Sequence, residues 1–76
     1  MSEKMEKIVI KDEFIKLGQA MKLAGFVDSG LDAKICIQAG EVRVNGEVCM
    51  QRGKKLYHGN TFSFHGEEAV IVSNIE

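Results

Sequence analysis

The side chains with the most chemical reach in this sequence are its cations, and they are gathered rather than scattered. Between Lys16 and Lys55 there are seven Lys or Arg against four Asp or Glu. The residues before Lys16 hold three Lys against four acids, and those after Lys55 hold three acids and no Lys or Arg. The formal net charge is −1, but charge acts locally, because salt screens it over about 8 Å. Lys34, Arg43, Arg52, Lys54 and Lys55 all lie in the cationic stretch. Phosphate oxygens are what such donors bind best, Arg as a fork and Lys as a point charge.

Other chemistry is thin. Cys36 and Cys49 form no CxxC pair, and no His stands at metal-ligand spacing from them. Both read as small core or half-buried fillers, since no His or acid is placed to activate either thiol. Two cysteines without a bridge framework fit a reducing compartment. His58 and His65 fall in turns and read as solvent-exposed. Paired carboxylates, a nucleophile with its base and a Gly-rich phosphate cradle are all absent from the sequence. The chain's 76 residues leave little room for a pocket. The expectation is a protein that is not an enzyme and needs no metal or cofactor. Ser29 and Gly30 open a helix whose free N–H groups favour an anion. Ordinary capping is the preferred reading there, because Asp28 and Asp32 flank the position. Tyr57 suits either base stacking or a half-buried strand end.

The elements that must position these residues follow from periodicity. Ile8, Val9 and Ile10 are a β-branched run and read as an opening strand. Leu17, Ala20, Met21 and Ala24 fall on one helical stripe, with Gly25 placed to end it, so a first helix is expected over 17–24. Ser29 with Asp32 is a weak capping box. The second helix is expected over about 30–39 on a stripe of Ala33, Cys36 and Ile37, with Gly40 as its stop. Lys34 and Gln38 are four apart and off that stripe, so they share an exposed helical face. Leu31 and Ile35 are also four apart, and they suit either a protein contact or cover by the opening strand.

From Val42 onward the pattern becomes β. Val42 and Val44 alternate with Arg43, so the valines are expected inward and Arg43 outward. Asn45-Gly46 is a two-residue hairpin signal. Arg52-Gly53-Lys54-Lys55 reads as a basic loop, and His58-Gly59-Asn60 as a turn. Phe62 and Phe64 alternate with polar residues, and Ala69 to Val72 forms a final strand. Two helices ahead of a meander indicate α+β packing, with two short helices on a small, mainly antiparallel sheet of three to five strands. The expected organisation is a flexible N-terminus at 1–7, one domain over 8–72 and a tail at 73–76. No apolar h-region or membrane-length run appears, so a cytoplasmic location is expected, and the expected state is a monomer.

The stretch Ser29 to Gly46 carries a resemblance. Ser29, Ala33-Lys34, Ile37 and Gly40-Glu41-Val42-Arg43-Val44-Asn45-Gly46 together resemble the αL motif of the S4 domain family. Leu17-Gly18-Gln19, Ser29-Gly30 and Arg52-Gly53-Lys54-Lys55-Leu56-Tyr57 resemble its small stand-alone branch of YaaA and YbcJ type. The likeness spans about 8–72. It implies an S4-type αL fold that binds structured RNA, ribosomal RNA among the options, in translation or ribosome assembly. It also implies Lys34, Gln38 and Arg43 as helix–strand contacts, Asn45 at the loop edge, and Arg52, Lys54 and Lys55 as a flanking basic loop. The chain departs from the pattern at Gly30 and Leu31, where many S4 domains carry Arg, and at Glu41, where many carry a basic residue.

Two other functions compete. A protein–protein adaptor on the same fold would use Leu31 and Ile35 and have little RNA affinity. A β-grasp sulfur carrier has similar length, but that chemistry needs a terminal Gly-Gly, and this sequence closes on Ser73-Asn74-Ile75-Glu76.

Overall fold

The computed structural model describes residues 5–74. Strands β1 (Met5–Ile10) and β2 (Phe14–Lys16) come first, followed directly by helices α1 (Leu17–Leu23) and α2 (Gly30–Gln38). Strands β3 (Val42–Val44), β4 (Glu47–Val48), β5 (Lys55–Tyr57), β6 (Thr61–Phe64) and β7 (Glu67–Ser73) complete the chain.

Both helices begin and end where local chemistry dictates. Ser29 Oγ accepts the Asp32 backbone N–H at 3.2 Å, which caps α2 with one of its otherwise unpaired donors satisfied. Each helix closes in the same way, with a glycine of positive φ after the last turn. Gly25 and Gly40 both have φ of 79°. Phe26 N–H returns to Met21 O, and Glu41 N–H returns to Cys36 O. Those bonds satisfy helix-end carbonyls, and a β-carbon at either glycine would strain them.

The main sheet has the order β1-β7-β6-β3-β4. Its β1–β7 pair is parallel and its other pairs are antiparallel. Asn45 and Gly46, with φ of 53° and 90°, make the tight β3–β4 turn. Met5 to Lys7, expected to be flexible, pair with Glu68 to Val70 and so belong to β1. The backbone ladder overrides their polar composition. Ser73, expected in a tail, closes β7 and donates its Oγ hydrogen to Asp12 O at 2.6 Å. Residues 1–4 and 75–76 of the expected termini lie outside the described residues.

One face of the sheet meets the helices. Ile8, Ile10, Val42, Val44, Phe62, Ala69 and Ile71 are buried with Leu17, Ala20, Met21, Ala33 and Ile37 in a single cluster. The register explains the alignment, since Val44 pairs with Phe62, Phe62 with Ala69, and Ile71 with Ile8. Phe26, in the connector between the helices, packs edge-on against Phe62 and stacked on Phe64, at 5.6 and 6.1 Å between centroids.

A second, two-stranded sheet stands apart from the first. Here β2 and β5 pair antiparallel, Phe14 with Tyr57, Ile15 with Leu56 and Lys16 with Lys55. Ile15 and Leu56 point into the core and the other four residues face outward. The residues expected to be a basic loop therefore end in a strand. Three-residue strands carry too little alternation to show in a sequence, and this pair exists because its two apolar centres are buried together.

Candidate nucleic-acid interface

The loop between β4 and β5 is strapped onto the start of α1. Leu17 N–H donates to Lys54 O at 2.9 Å, and Gly18 N–H donates to Arg52 O at 3.1 Å. Those two donors belong to the first turn of the helix, which has no partners of its own. The strap brings the Arg52 side chain across Gly18. A β-carbon at residue 18 would lie 2.8 Å from Arg52 Cγ, so the close approach requires glycine.

Beside this crossing lies a cleft of about 260 Å³, lined by Lys16, Gly18, Gln19, Lys22, Gly30, Arg52 and Gly53. Three of these residues are cations and none is an acid. Among the described residues, no Lys or Arg forms a salt bridge with a described carboxylate, and the one His–carboxylate contact is His65 with Glu41. The glycines keep the walls low. Beyond Gly30 and Gly53 the space is open where a β-carbon would project. The cleft thus offers positive charge and room for a phosphate to approach the backbone.

The expected site residues fall into several groups. Arg52 is in the cleft. Lys34 lies four residues beyond Gly30 on α2, and Gln38 four beyond Lys34, so both extend from the cleft along one exposed flank of the helix. Lys54 and Asn45 line a shallow groove beside the hairpin, together with Val48 and Met50. Asn45 Oδ1 accepts from the Thr61 N–H at 3.0 Å and faces Thr61 Oγ1 at 3.4 Å, which ties the hairpin turn to β6. Lys55 leaves the loop altogether and places its Nζ 4.8 Å from the centre of the Phe14 ring.

Arg43 is the departure. Val42 and Val44 are buried in the core that the helices cover, so the pleat sends Arg43 to the opposite face of the sheet. Its cross-strand neighbours there are Val48 and Ser63. Arg43 therefore leaves the sheet on the face away from the helices, whereas Lys34 leaves an exposed flank of α2, so the two side chains start from different faces.

Lys16 and Lys22 were not singled out in the sequence. Their signal is present, because Lys16, Gln19 and Lys22 recur every third residue along one helical edge. The strap that brings Arg52 to that edge joins positions more than thirty residues apart in the chain, and no local pattern shows it.

The remaining reactive groups are structural. Burial pushes the Cys36 thiol above its ordinary range, with Glu41 and Asp32 adding to the effect. That shift favours the protonated thiol over the thiolate. Glu41 lies 3.0 Å from His65 Nε2. His58 Nδ1 accepts the Ser73 N–H at 3.0 Å and so helps fix the end of β7. No helix of the described residues is long and apolar enough to cross a membrane.

This geometry matches known proteins. A family model described as "S4 domain" matches residues 8–72. The chain belongs to the S4 domain family. YbcJ of Escherichia coli (strain K12) is 36% identical to this S4 domain over 63 residues, covering 83% of this chain and 90% of YbcJ. A Bacillus subtilis (strain 168) relative named "Probable ribosome maturation protein RlbA" is 44% identical over 67 residues, covering 88% of this chain and 94% of its own. The solution structure of E. coli YbcJ superposes with a TM-score of 0.72 at 32% identity, over 96% of this chain and 94% of that one. That structure is described as revealing an αL motif involved in RNA binding. The two helices on a small sheet, expected from the sequence, are thus the αL fold of this S4 domain.

Proposed function

We propose that this S4 domain binds structured RNA through the cleft between α1, the start of α2 and the 51–54 strap, and that it acts by binding alone. The observation that carries the reading is the company of Lys16, Lys22 and Arg52 around one concavity with no carboxylate in its lining. Lys34 and Gln38 continue that surface along α2, and Lys54 stands at its border with the hairpin groove. Lysines and arginines that replace condensed counterions give phosphate binding its strength and its salt dependence. The described RNA role of YbcJ and the ribosome-maturation name of RlbA support RNA as the ligand and ribosome assembly as the setting. Anisotropy titration of a short RNA duplex tests this. Binding that weakens steeply as salt rises, and that is lost on Lys22→Glu and Arg52→Glu, is the expected result. Binding indifferent to salt and to both reversals contradicts it.

A second reading has one observation behind it. Leu31 and Ile35 are 65% and 57% exposed on α2, which suits a protein contact. An adaptor using them would keep its partners after RNase treatment and lose them on Leu31→Ser with Ile35→Ser.

A further inference from the structure

We infer that the outer face of the β2–β5 ribbon stacks an unpaired nucleotide, so that the RNA suited to this domain is a duplex with a single-stranded neighbour. The inference rests on the reading of the cleft as an RNA site and extends it to a second, adjacent surface.

The ribbon register puts Phe14 opposite Tyr57 and Lys16 opposite Lys55, all on the side away from the buried Ile15 and Leu56. Two aromatic rings and two cations therefore share a face only two strands wide. Phe14 and Tyr57 have centroids 5.7 Å apart at an interplanar angle of 51°. The Lys55 ammonium covers Phe14 at 4.8 Å, a cation–π contact that holds both groups in place. Tyr57 remains 47% exposed, braced by Phe14 from the side. Its backbone is fixed as well. Tyr57 N–H donates to Asn60 Oδ1 at 2.7 Å, and Asn60 N–H donates back to Tyr57 O at 2.9 Å.

Charge along the ribbon decides the occupant. Asp12 and Glu13 lie at the Phe14 end and line a hollow there with Phe14, Lys16 and Gln19. Lys16 borders that hollow and also lines the cleft, and Lys55 faces it across the ribbon, so cations join the ribbon to the cleft. A ligand crossing this face needs an anionic part near Lys16 and a neutral flat part near the rings. A nucleotide has that division, with phosphate at one end and a base at the other. Bases inside a duplex have both faces covered, so the stacked one must be unpaired. Stacking of this kind tolerates any base, because every base has a π-face.

Binding to three synthetic RNAs tests the inference. One is a blunt duplex, one is the same duplex with a short unpaired overhang, and one has an abasic overhang. The wild-type protein should prefer the base-bearing overhang about tenfold over the other two. Tyr57→Phe should keep that preference. Tyr57→Ala should abolish it while leaving blunt-duplex affinity unchanged, and Tyr57→Leu, which still covers Phe14, should do the same. Equal wild-type affinity for the three RNAs, or Tyr57→Leu lowering all three alike, would overturn the stacking platform while leaving the cleft reading intact. Absence of binding to any of the three would overturn both.

Discussion

Arg52 lies across Gly18 so closely that a β-carbon on residue 18 would come within 2.8 Å of its Cγ. The strap backbone cannot back away without breaking the hydrogen bonds from Leu17 and Gly18. The relief open to a larger residue is rotation of the Arg52 side chain, which would swing the guanidinium out of the cleft. Gly18→Ala should therefore weaken RNA binding several-fold with little change in melting temperature, since the better helix propensity of alanine offsets the displacement. The loss should vanish in an Arg52→Ala background. Equal losses with and without Arg52, in a double-mutant cycle, would place the effect of Gly18 elsewhere.

Asn45 has two internal tasks, a positive φ of 53° and acceptance of the Thr61 N–H. Asn45→Ala should cost about 1 to 2 kcal/mol of stability, from the strained backbone and the lost bond. RNA affinity of the folded variant should be near that of the wild type. Urea melts and anisotropy on the same sample check both halves. A stable variant that fails to bind RNA would make Asn45 a ligand contact instead.

Ile37 is fully buried where α2 meets the core. Ile37→Ala should cost about 2 to 5 kcal/mol. A domain of this size has a total stability on the order of 5 kcal/mol, so the melting temperature should fall sharply and, at the upper end of that cost, up to about half of the population should be unfolded at room temperature. Lys34→Ala, one turn earlier and exposed, should stay within about 0.5 kcal/mol of the wild type by circular dichroism.

The Cys36 thiol, raised by burial and by Glu41 and Asp32, holds less thiolate at neutral pH than a free cysteine does. Alkylation of Cys36 by iodoacetamide at pH 7, followed by mass spectrometry, should be slower than that of free cysteine and should accelerate as pH rises. Labelling at the free-cysteine rate would contradict its burial.

Much of this architecture is legible in the sequence, because it is set by local rules. The Leu17, Ala20 and Met21 stripe, the Ser29 cap, the closing Gly25 and Gly40, and the Asn45-Gly46 turn each act within a few residues, and each takes its expected place. The β2–β5 ribbon is not legible, because its stability comes from two residues, Ile15 and Leu56, meeting across forty positions of chain. The interface suffers more from this limit than the fold does. Alternation correctly turns Arg43 away from the core but cannot say that the helices occupy the other side. Lys16 and Lys22 become neighbours of Arg52 only through the strap, which is a tertiary event. A cluster of charge in sequence thus groups cations that the fold distributes over different surfaces.

The most direct test of the cleft as the RNA surface is the salt dependence of duplex binding in single charge reversals on the two sides of the sheet. Arg52→Glu and Lys22→Glu should each lower affinity at least tenfold and flatten the slope of log affinity against log salt by roughly one unit or more. Arg43→Glu, on the far face, should leave both quantities close to the wild-type values. Loss of binding in Arg43→Glu with Arg52→Glu and Lys22→Glu unaffected would place the RNA on the opposite side of the molecule.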